Sequence, residues 1–212
     1  MLCFWQVERI IIGLTGPTAG GKGTIAKHLE EQGFVYFSLS DVIREQATKY
    51  GWRHTREVLQ NLGDEMRAKG GADILARMTA ETSKFKHADW VVIDAIRHPD
   101  EINYLKDFFD AKIIGVTAVP EKLFELMKAR GREGDPATFE EFIKVQKREQ
   151  GKEGTTAMQV NRCLEMADAT VWNSGDKADL IINAEVALLE VGVRVMRGGI
   201  EHHGHAGHEH GH

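Results

Sequence analysis

Cysteine is scarce in this chain. Among 212 residues there are two, Cys3 and Cys163, far apart and without metal-ligand spacing, which excludes a disulfide framework and suits two unpaired thiols in a reducing cytosol. Long apolar runs are missing as well. No stretch approaches the roughly 20 apolar residues that span a bilayer, and Met1-Leu2-Cys3-Phe4-Trp5 is too short for a signal-peptide core, so no membrane partner and a cytoplasmic location are expected. A surplus of positive charge is also lacking: 27 Lys and Arg stand against 32 Asp and Glu, for a formal net charge of −5. Extended nucleic-acid binding is therefore disfavoured, while small anionic ligands and a local basic cleft remain compatible. Internal repeats are absent. With 42% hydrophobic residues, one domain with a continuous core is expected over residues 1–197.

What is present begins near the N-terminus. The apolar run Ile10, Ile11, Ile12, Gly13, Leu14 leads into Gly16-Pro17-Thr18-Ala19-Gly20-Gly21-Lys22-Gly23-Thr24, and Ile25, Ala26 and Leu29 then follow at helical spacing. Glycines at a strand-to-helix turn let successive backbone N–H groups point inward around a polyphosphate without a Cβ clash. The helix start adds its free N–H groups and the positive end of its dipole. Lys22 supplies a mobile charge for the outer phosphates. The common form of this loop has Ser or Thr directly after the lysine. Here Gly23 intervenes and the hydroxyl comes from Thr24, an ending that resembles the adenylate kinase branch of P-loop proteins.

Further along, Phe34-Val35-Tyr36-Phe37 reads as a short buried strand, and Ser40 is placed to cap a helix carrying Asp41 and Arg44 on one face. Those two are either a capping Asp with a solvated Arg or members of the crevice that holds the phosphate loop. Thr55 opens a second helical stretch with Val58, Leu59, Leu62 and Met66 on one side and Arg56, Gln60 and Arg67 among its polar members. The helical segment of about 40–87 exceeds what a minimal crossover needs, so a cap holding the second substrate is expected there. Trp90-Val91-Val92-Ile93-Asp94 is a buried strand ending in a carboxylate, costly to bury unless a cation or hydrogen bonds satisfy it; alone such an Asp reads as a turn former, while beside a phosphate loop the cation expected is Mg²⁺. Arg97 lies three residues on. His98 is either a substrate contact or, more plainly, a cap neighbour of the helix that Pro99 starts.

Lys112 to Val119 reads as the next strand and Pro120 opens another helix, which ends in Lys128-Ala129-Arg130-Gly131-Arg132-Glu133-Gly134-Asp135-Pro136. Thr138 with Glu141 then makes a capping box. An arginine-bearing hairpin of helices over about 129–150 suits a lid, because closure delivers charge and removes water together; a solvated basic turn is the plainer alternative. Met158 to Ala167 reads as helix, Ala169-Thr170-Val171-Trp172 as the last strand, and roughly Lys177 to Met196 as the last helix. The alternation predicts an α/β, three-layer fold with a five-stranded parallel sheet flanked by helices. Residues 198–212 form a His-rich stretch that composition predicts to be disordered, either a loose Ni²⁺ or Zn²⁺ binder or a solvated tail.

In order and type, Gly16 to Thr24, Ser40-Asp41-Val42-Ile43-Arg44, Val92 to Arg97, the Arg130/Arg132 pair and Asn173-Ser174-Gly175 resemble the nucleoside monophosphate kinases over roughly residues 9 to 195. The chain is similar to the deoxynucleoside monophosphate kinase-like and dephospho-CoA kinase-like branches, and to archaeal proteins described as related to AMP and CMP kinases. The resemblance implies ATP phosphates on Gly16, Thr18, Ala19, Gly20, Gly21, Lys22, Gly23 and Thr24, with Asn173 to Gly175 bordering the adenine and Mg²⁺ near Thr24 and Asp94. Arg44 and Arg97 would hold the acceptor phosphate, joined in the cap by Asp41 and Arg56, and Arg130 and Arg132 would close over the transferring group. One departure is the spacing of three between Asp94 and Arg97, where adenylate kinases have four with Gly and Pro between. The segment Thr55 to Gly63 tilts the acceptor toward a pyrimidine or deoxy-nucleotide.

The expected partners are ATP and a small phosphorylated acceptor, in a monomer or homodimer. If the acceptor is instead a ribose hydroxyl, Asp41 is the base placed to take its proton. A P-loop ATPase switch with no small acceptor is the rival from another class.

Overall fold

The computed structural model describes residues 9–132, 134–151 and 155–194. The His-rich tail and Cys3 lie outside the described residues. Five strands, β1 (Ile10–Thr15), β2 (Val35–Ser38), β3 (Trp90–Ile96), β4 (Lys112–Thr117) and β5 (Ala169–Trp172), form one parallel sheet in the order β2-β3-β1-β4-β5. The central strands read as nearly continuous apolar runs because both faces are covered. Along β1, Ile11 packs into one core, while Ile12 and Leu14 pack into the other.

The helices fall to the two faces as their apolar stripes require. On one side α1 (Lys22–Glu31) and α10 (Lys177–Glu190) bury Ile25, Leu29, Leu180 and Leu188 against Val92, Ile114 and Val171. On the other, α2 (Leu39–Lys49), α3 (Arg56–Gly70), α4 (Ile74–Ala80), α5 (Ser83–Lys86), α6 (Pro99–Phe109) and α9 (Val160–Glu165) surround a core holding Leu39, Leu62, Leu75, Phe85, Ile102 and Cys163. The stretch between β2 and β3, where a cap was expected, is helical, α2 to α5. A third, small core of Ala118, Leu123, Met127 and Phe142 joins α7 (Pro120–Arg130) to α8 (Phe139–Gln150), the hairpin expected as a lid. Among the described residues no helix is long and apolar enough to cross a membrane.

Start signals held where a side chain has a donor to satisfy. Thr55 caps α3 by accepting from the Val58 N–H, Pro99 and Pro120 sit in first turns, and Thr138 with Glu141 forms the capping box of α8. Several boundaries shift. Helix α2 follows β2 without a break, so Ser38 rather than Ser40 stands at its N-cap, and its side chain makes no capping bond. Strand β4 stops at Thr117, short of Val119, which caps α7; α10 ends at Glu190 rather than near Met196. Strand β3 runs past Asp94 to Ile96 because it bulges: Gly13 pairs with Ile93 but Thr15 with Ile96, and Ala95 takes up the extra residue at φ 64°.

Candidate functional site

The phosphate loop leaves β1 at the buried Thr15, whose hydroxyl donates to the Ile96 carbonyl at 2.9 Å. Gly16 follows at φ 131°, pressed so closely on the β4 backbone that a Cβ would lie 3.0 Å from the Val116 carbonyl carbon and closer to its oxygen. Ala19 is held at φ 66°, a left-handed conformation that non-glycine residues adopt at a cost. Gly21, at φ 107°, is the N-cap of α1, and no side chain caps that helix. Its first turn carries no acid, so the N-terminal amides and the positive dipole end are left for an anion.

Lys22 is 8% exposed and folds back so that its ammonium donates to the carbonyls of Gly16 and Pro17, at 2.9 and 2.8 Å. Burial pushes its pKa below the ordinary value, and the charges of Asp94 and Glu149 partly oppose that. Asn173, the first residue past β5, buttresses the loop: its side-chain amide donates to the Gly20 carbonyl at 3.1 Å, while its backbone N–H bonds Thr117 at 2.7 Å. The buried Asn173 therefore supports the loop, and Gly175, Asp176 and Lys177 continue the cleft wall beyond it.

The opposite wall is the end of β3. Asp94 pairs in register with Ser38, and one carboxylate oxygen accepts from the Ala95 N–H at 2.5 Å. Tyr36 and Asp94 line the same cleft, and burial first, then the Asp94 charge, pushes the Tyr36 phenol upward. The strand bulges at Ala95. The bulge adds a residue without ending the strand, and Arg97 emerges directly into the cleft. His98, by contrast, is a buried cap: its Nδ1 accepts from the Asp100 N–H at 3.1 Å, which leaves Nε2–H to donate to the Thr155 carbonyl at 2.9 Å.

Thr18 to Thr24, Asp94, Arg97, Arg44, Arg56, Arg130 and Arg132 all line one cleft of about 920 Å³. Asp41 does not. It is half-exposed, lies over a shallow outer hollow, and its carboxylate is tied to Arg44 at 2.8 Å. The reason is helical geometry: with the helix starting at Leu39, Asp41 and Ile43 face opposite ways, and Ile43 is the one turned into the core.

Two carboxylates organise the cleft arginines, and neither was expected from the sequence. Asp135 receives Arg130 through two bonds of 2.9 and 2.7 Å and Arg56 at 2.9 Å. Glu149, in the last turn of α8, receives Arg97 at 2.9 Å, the Thr18 hydroxyl at 2.6 Å and the Thr18 N–H at 3.2 Å, with Arg56 at 3.6 Å. Burial raises the pKa of both carboxyls, but these donors and cations outweigh it and hold each below its ordinary value. A signal for Glu149 did exist. It lies seven residues from Phe142, on the same buried face of an amphipathic helix, where a charge needs a partner. Arg67, on α3, is likewise buried and pairs with Glu101 through two bonds of 3.0 and 2.9 Å, while Glu101 also accepts the backbone N–H groups of Arg97 and His98.

Among the described residues no cluster of three or more His, Cys, Asp or Glu could hold a metal by itself. The Thr24 hydroxyl and the Asp94 carboxylate across the same cleft fit Mg²⁺ nevertheless, since that ion is usually held by one or two protein oxygens plus phosphates and water.

A parallel sheet with a glycine-rich loop between β1 and α1 defines a P-loop domain of kinase-like fold, and the model of the family described as AAA domain matches residues 12–149. Solved structures agree on the fold: shikimate kinase from Bacteroides thetaiotaomicron superposes with a TM-score of 0.58 at 14% identity, covering 87% of this chain and 99% of that one. TT1252 from Thermus thermophilus gives 0.56 at 22% identity, covering 87% and 98%. The chain belongs to the UPF0200 family, being 31% identical over 175 residues to a UPF0200 protein of Thermococcus kodakarensis, a match spanning 80% of this chain and 91% of the relative. A UPF0200 protein of Methanococcus maripaludis is 29% identical over 177 residues, spanning 82% and 93%. The kinase-like fold stands, therefore, while the nucleoside monophosphate kinase branch is a finer assignment than these likenesses carry.

Proposed function

We propose that this protein is an ATP-dependent small-molecule kinase that transfers the γ-phosphoryl group of ATP to a nucleoside or deoxynucleoside monophosphate. The observation that supports it is a charge contrast. The chain carries a net charge of −5, yet nine Lys and Arg line the cleft against four Asp and Glu. Arg67 and Arg44 have carboxylate partners outside that lining, Glu101 and Asp41, but the positive charge still extends from the loop to Arg44 on the cap and to Arg130 and Arg132 on the lid. A second anionic ligand accounts for it.

In this reading the amides of Gly20 to Thr24 and Lys22 hold the ATP phosphates, Gly175 borders the adenine, and Thr24 and Asp94 hold Mg²⁺. Bound there, the ion would neutralise charge on the phosphate oxygens. Arg44 and Arg97 hold the acceptor phosphate, Arg56 supports it from the cap, and Arg130 and Arg132 approach from the lid. Transfer then depends on alignment and charge neutralisation, with water excluded by the lid. A monophosphate acceptor is already anionic at neutral pH and requires no base. The exposed position of Asp41, tied to Arg44, favours this over a ribose-hydroxyl acceptor of the dephospho-CoA kinase kind. A cytoplasmic location, as monomer or homodimer, belongs to the same proposal.

The AAA domain match supports one rival, a P-loop ATPase switch with no small acceptor. A coupled ADP-release assay across ribo- and deoxyribonucleoside monophosphates and dephospho-CoA separates them. Stimulation of at least ten-fold by one monophosphate, retained in Asp41→Asn, is expected. ADP release indifferent to every acceptor overturns the kinase reading, and collapse of Asp41→Asn with intact ATP binding would point to a hydroxyl acceptor.

A further inference from the structure

Glu149 is 2% exposed, whereas the Arg97 side chain that it holds is 21% exposed and lines the cleft. Both line the cleft, and the carboxylate is the more deeply buried of the two. From there it does two things at once: it fixes Arg97 at 2.9 Å, and it grips Thr18 of the phosphate loop through both hydroxyl and N–H. Its own position is set by the lid, because it shares α8 with Phe142, which is wholly buried in the small lid core. Asp135, on the segment leading into the other end of α8, does the same for Arg130 and Arg56, whose side chains are each 24% exposed against its own 10%. The lid thus carries a carboxylate near each end of one helix, Glu149 buried and Asp135 partly so, and each holds arginines supplied by other elements.

We propose that Glu149 is a positioning residue, which aims Arg97 at the phosphate of the second substrate and makes that aim depend on α8 being docked against Thr18. This deepens the proposed kinase reading and rests on it. The physical case is that an arginine on a loop has many rotamers, and a charge-assisted bond removes most of them before ligand arrives. The guanidinium is then presented to an oxyanion already oriented. Thr18 completes the device, since its hydroxyl and amide anchor the carboxylate to the part of the molecule that binds the donor phosphates.

The experiment is a double-mutant cycle in the full-length protein, with Glu149→Gln, Arg97→Ala and the pair, read as kcat/KM for the acceptor found most active in the monophosphate panel. Glu149→Gln alone should lower this value roughly 10- to 100-fold, the size of a lost bond to a charged group. In the Arg97→Ala background it should lower it less than about three-fold, since the residue it acts through is gone. Glu149→Asp should recover part of the loss. Independent, multiplying losses would overturn the inference, because a merely structural Glu149 damages the enzyme whether or not Arg97 is present. A second readout needs no acceptor. The ¹⁵Nε order of Arg97 by NMR in folded protein should fall in Glu149→Gln, and in Thr18→Val if α8 docking matters, whereas an Arg97 equally rigid in all three proteins refutes positioning. If no monophosphate is turned over, the kinase reading fails while this measurement still decides what Glu149 does.

Discussion

Replacing Gly16 by alanine tests the closeness on which the phosphate loop depends. At φ 131° an L-residue is strained, which costs about 1–2 kcal/mol before any contact is counted. The added Cβ would lie 3.0 Å from the Val116 carbonyl carbon and 3.3 Å from the Val116 nitrogen. Both are backbone atoms of β4, which is hydrogen-bonded to β1 on one side and β5 on the other, so the obstruction cannot rotate away. Overpacking of that kind costs about 1–3 kcal/mol. Together the terms come to roughly 2–5 kcal/mol, or a melting temperature lower by about 5–15 °C at this chain length. Gly23→Ala is the control from the same loop. A Cβ there meets nothing within 4 Å and the residue lies in the first turn of α1, so the change should be neutral or raise stability by up to about 1 kcal/mol. Gly21→Ala falls between, because φ is 107° but the neighbours, Leu180 at 2.7 Å and Asn173 at 2.8 Å, are side chains. Differential scanning calorimetry of the ligand-free proteins measures the series. Gly16→Ala and Gly23→Ala melting within about 2 °C of each other would refute the reasoning.

Three further outcomes are expected. Lys22→Ala removes the cation from the loop and should abolish ATP turnover, as judged by ADP release, while melting stays within a few degrees of wild type; unchanged ATP affinity and turnover would exclude the loop as the donor site. Two carboxylates make stability fall in acid: Glu149 and Asp135 have folded pKa values below their ordinary 4.5 and 3.8, so their contribution is complete above those values and lost as pH falls through the lower folded ones. Denaturant titrations from pH 6 down to pH 3 should show that loss, and Glu149→Gln should flatten it. Cys163 is fully buried, with a thiol pushed up to about 12 by burial first and by Glu101 next, so iodoacetamide at pH 8 should leave it unmodified in the folded protein and alkylate it after unfolding, as followed by peptide mass.

The sequence by itself determined the elements and the loop. Strand-length apolar runs, prolines in first turns and threonine caps are local signals, and a phosphate-binding turn is local too: its glycines, lysine and hydroxyl are all within a few residues, so spacing alone defines them. The parallel order of the strands followed from the alternation of strand and helix. What only the tertiary structure decided is which side chains meet. Asp41 and Arg44 are three residues apart and looked alike from their spacing, yet the burial of Ile43 turns Asp41 to an outer hollow while Arg44 also lines the cleft. Arg97 enters the cleft just past a bulge at Ala95, and bulges depend on the pairing partner. Asn173 is a buttress because β5 ends beside the loop, and Asp135 and Glu149 matter because α8 folds over arginines from α3, α7 and the end of β3. These two carboxylates lie as many as 131 residues from their partners along the chain. Charge pairing acts over a few ångströms, so nothing in the order of residues reveals such a pair until folding has brought its members within reach.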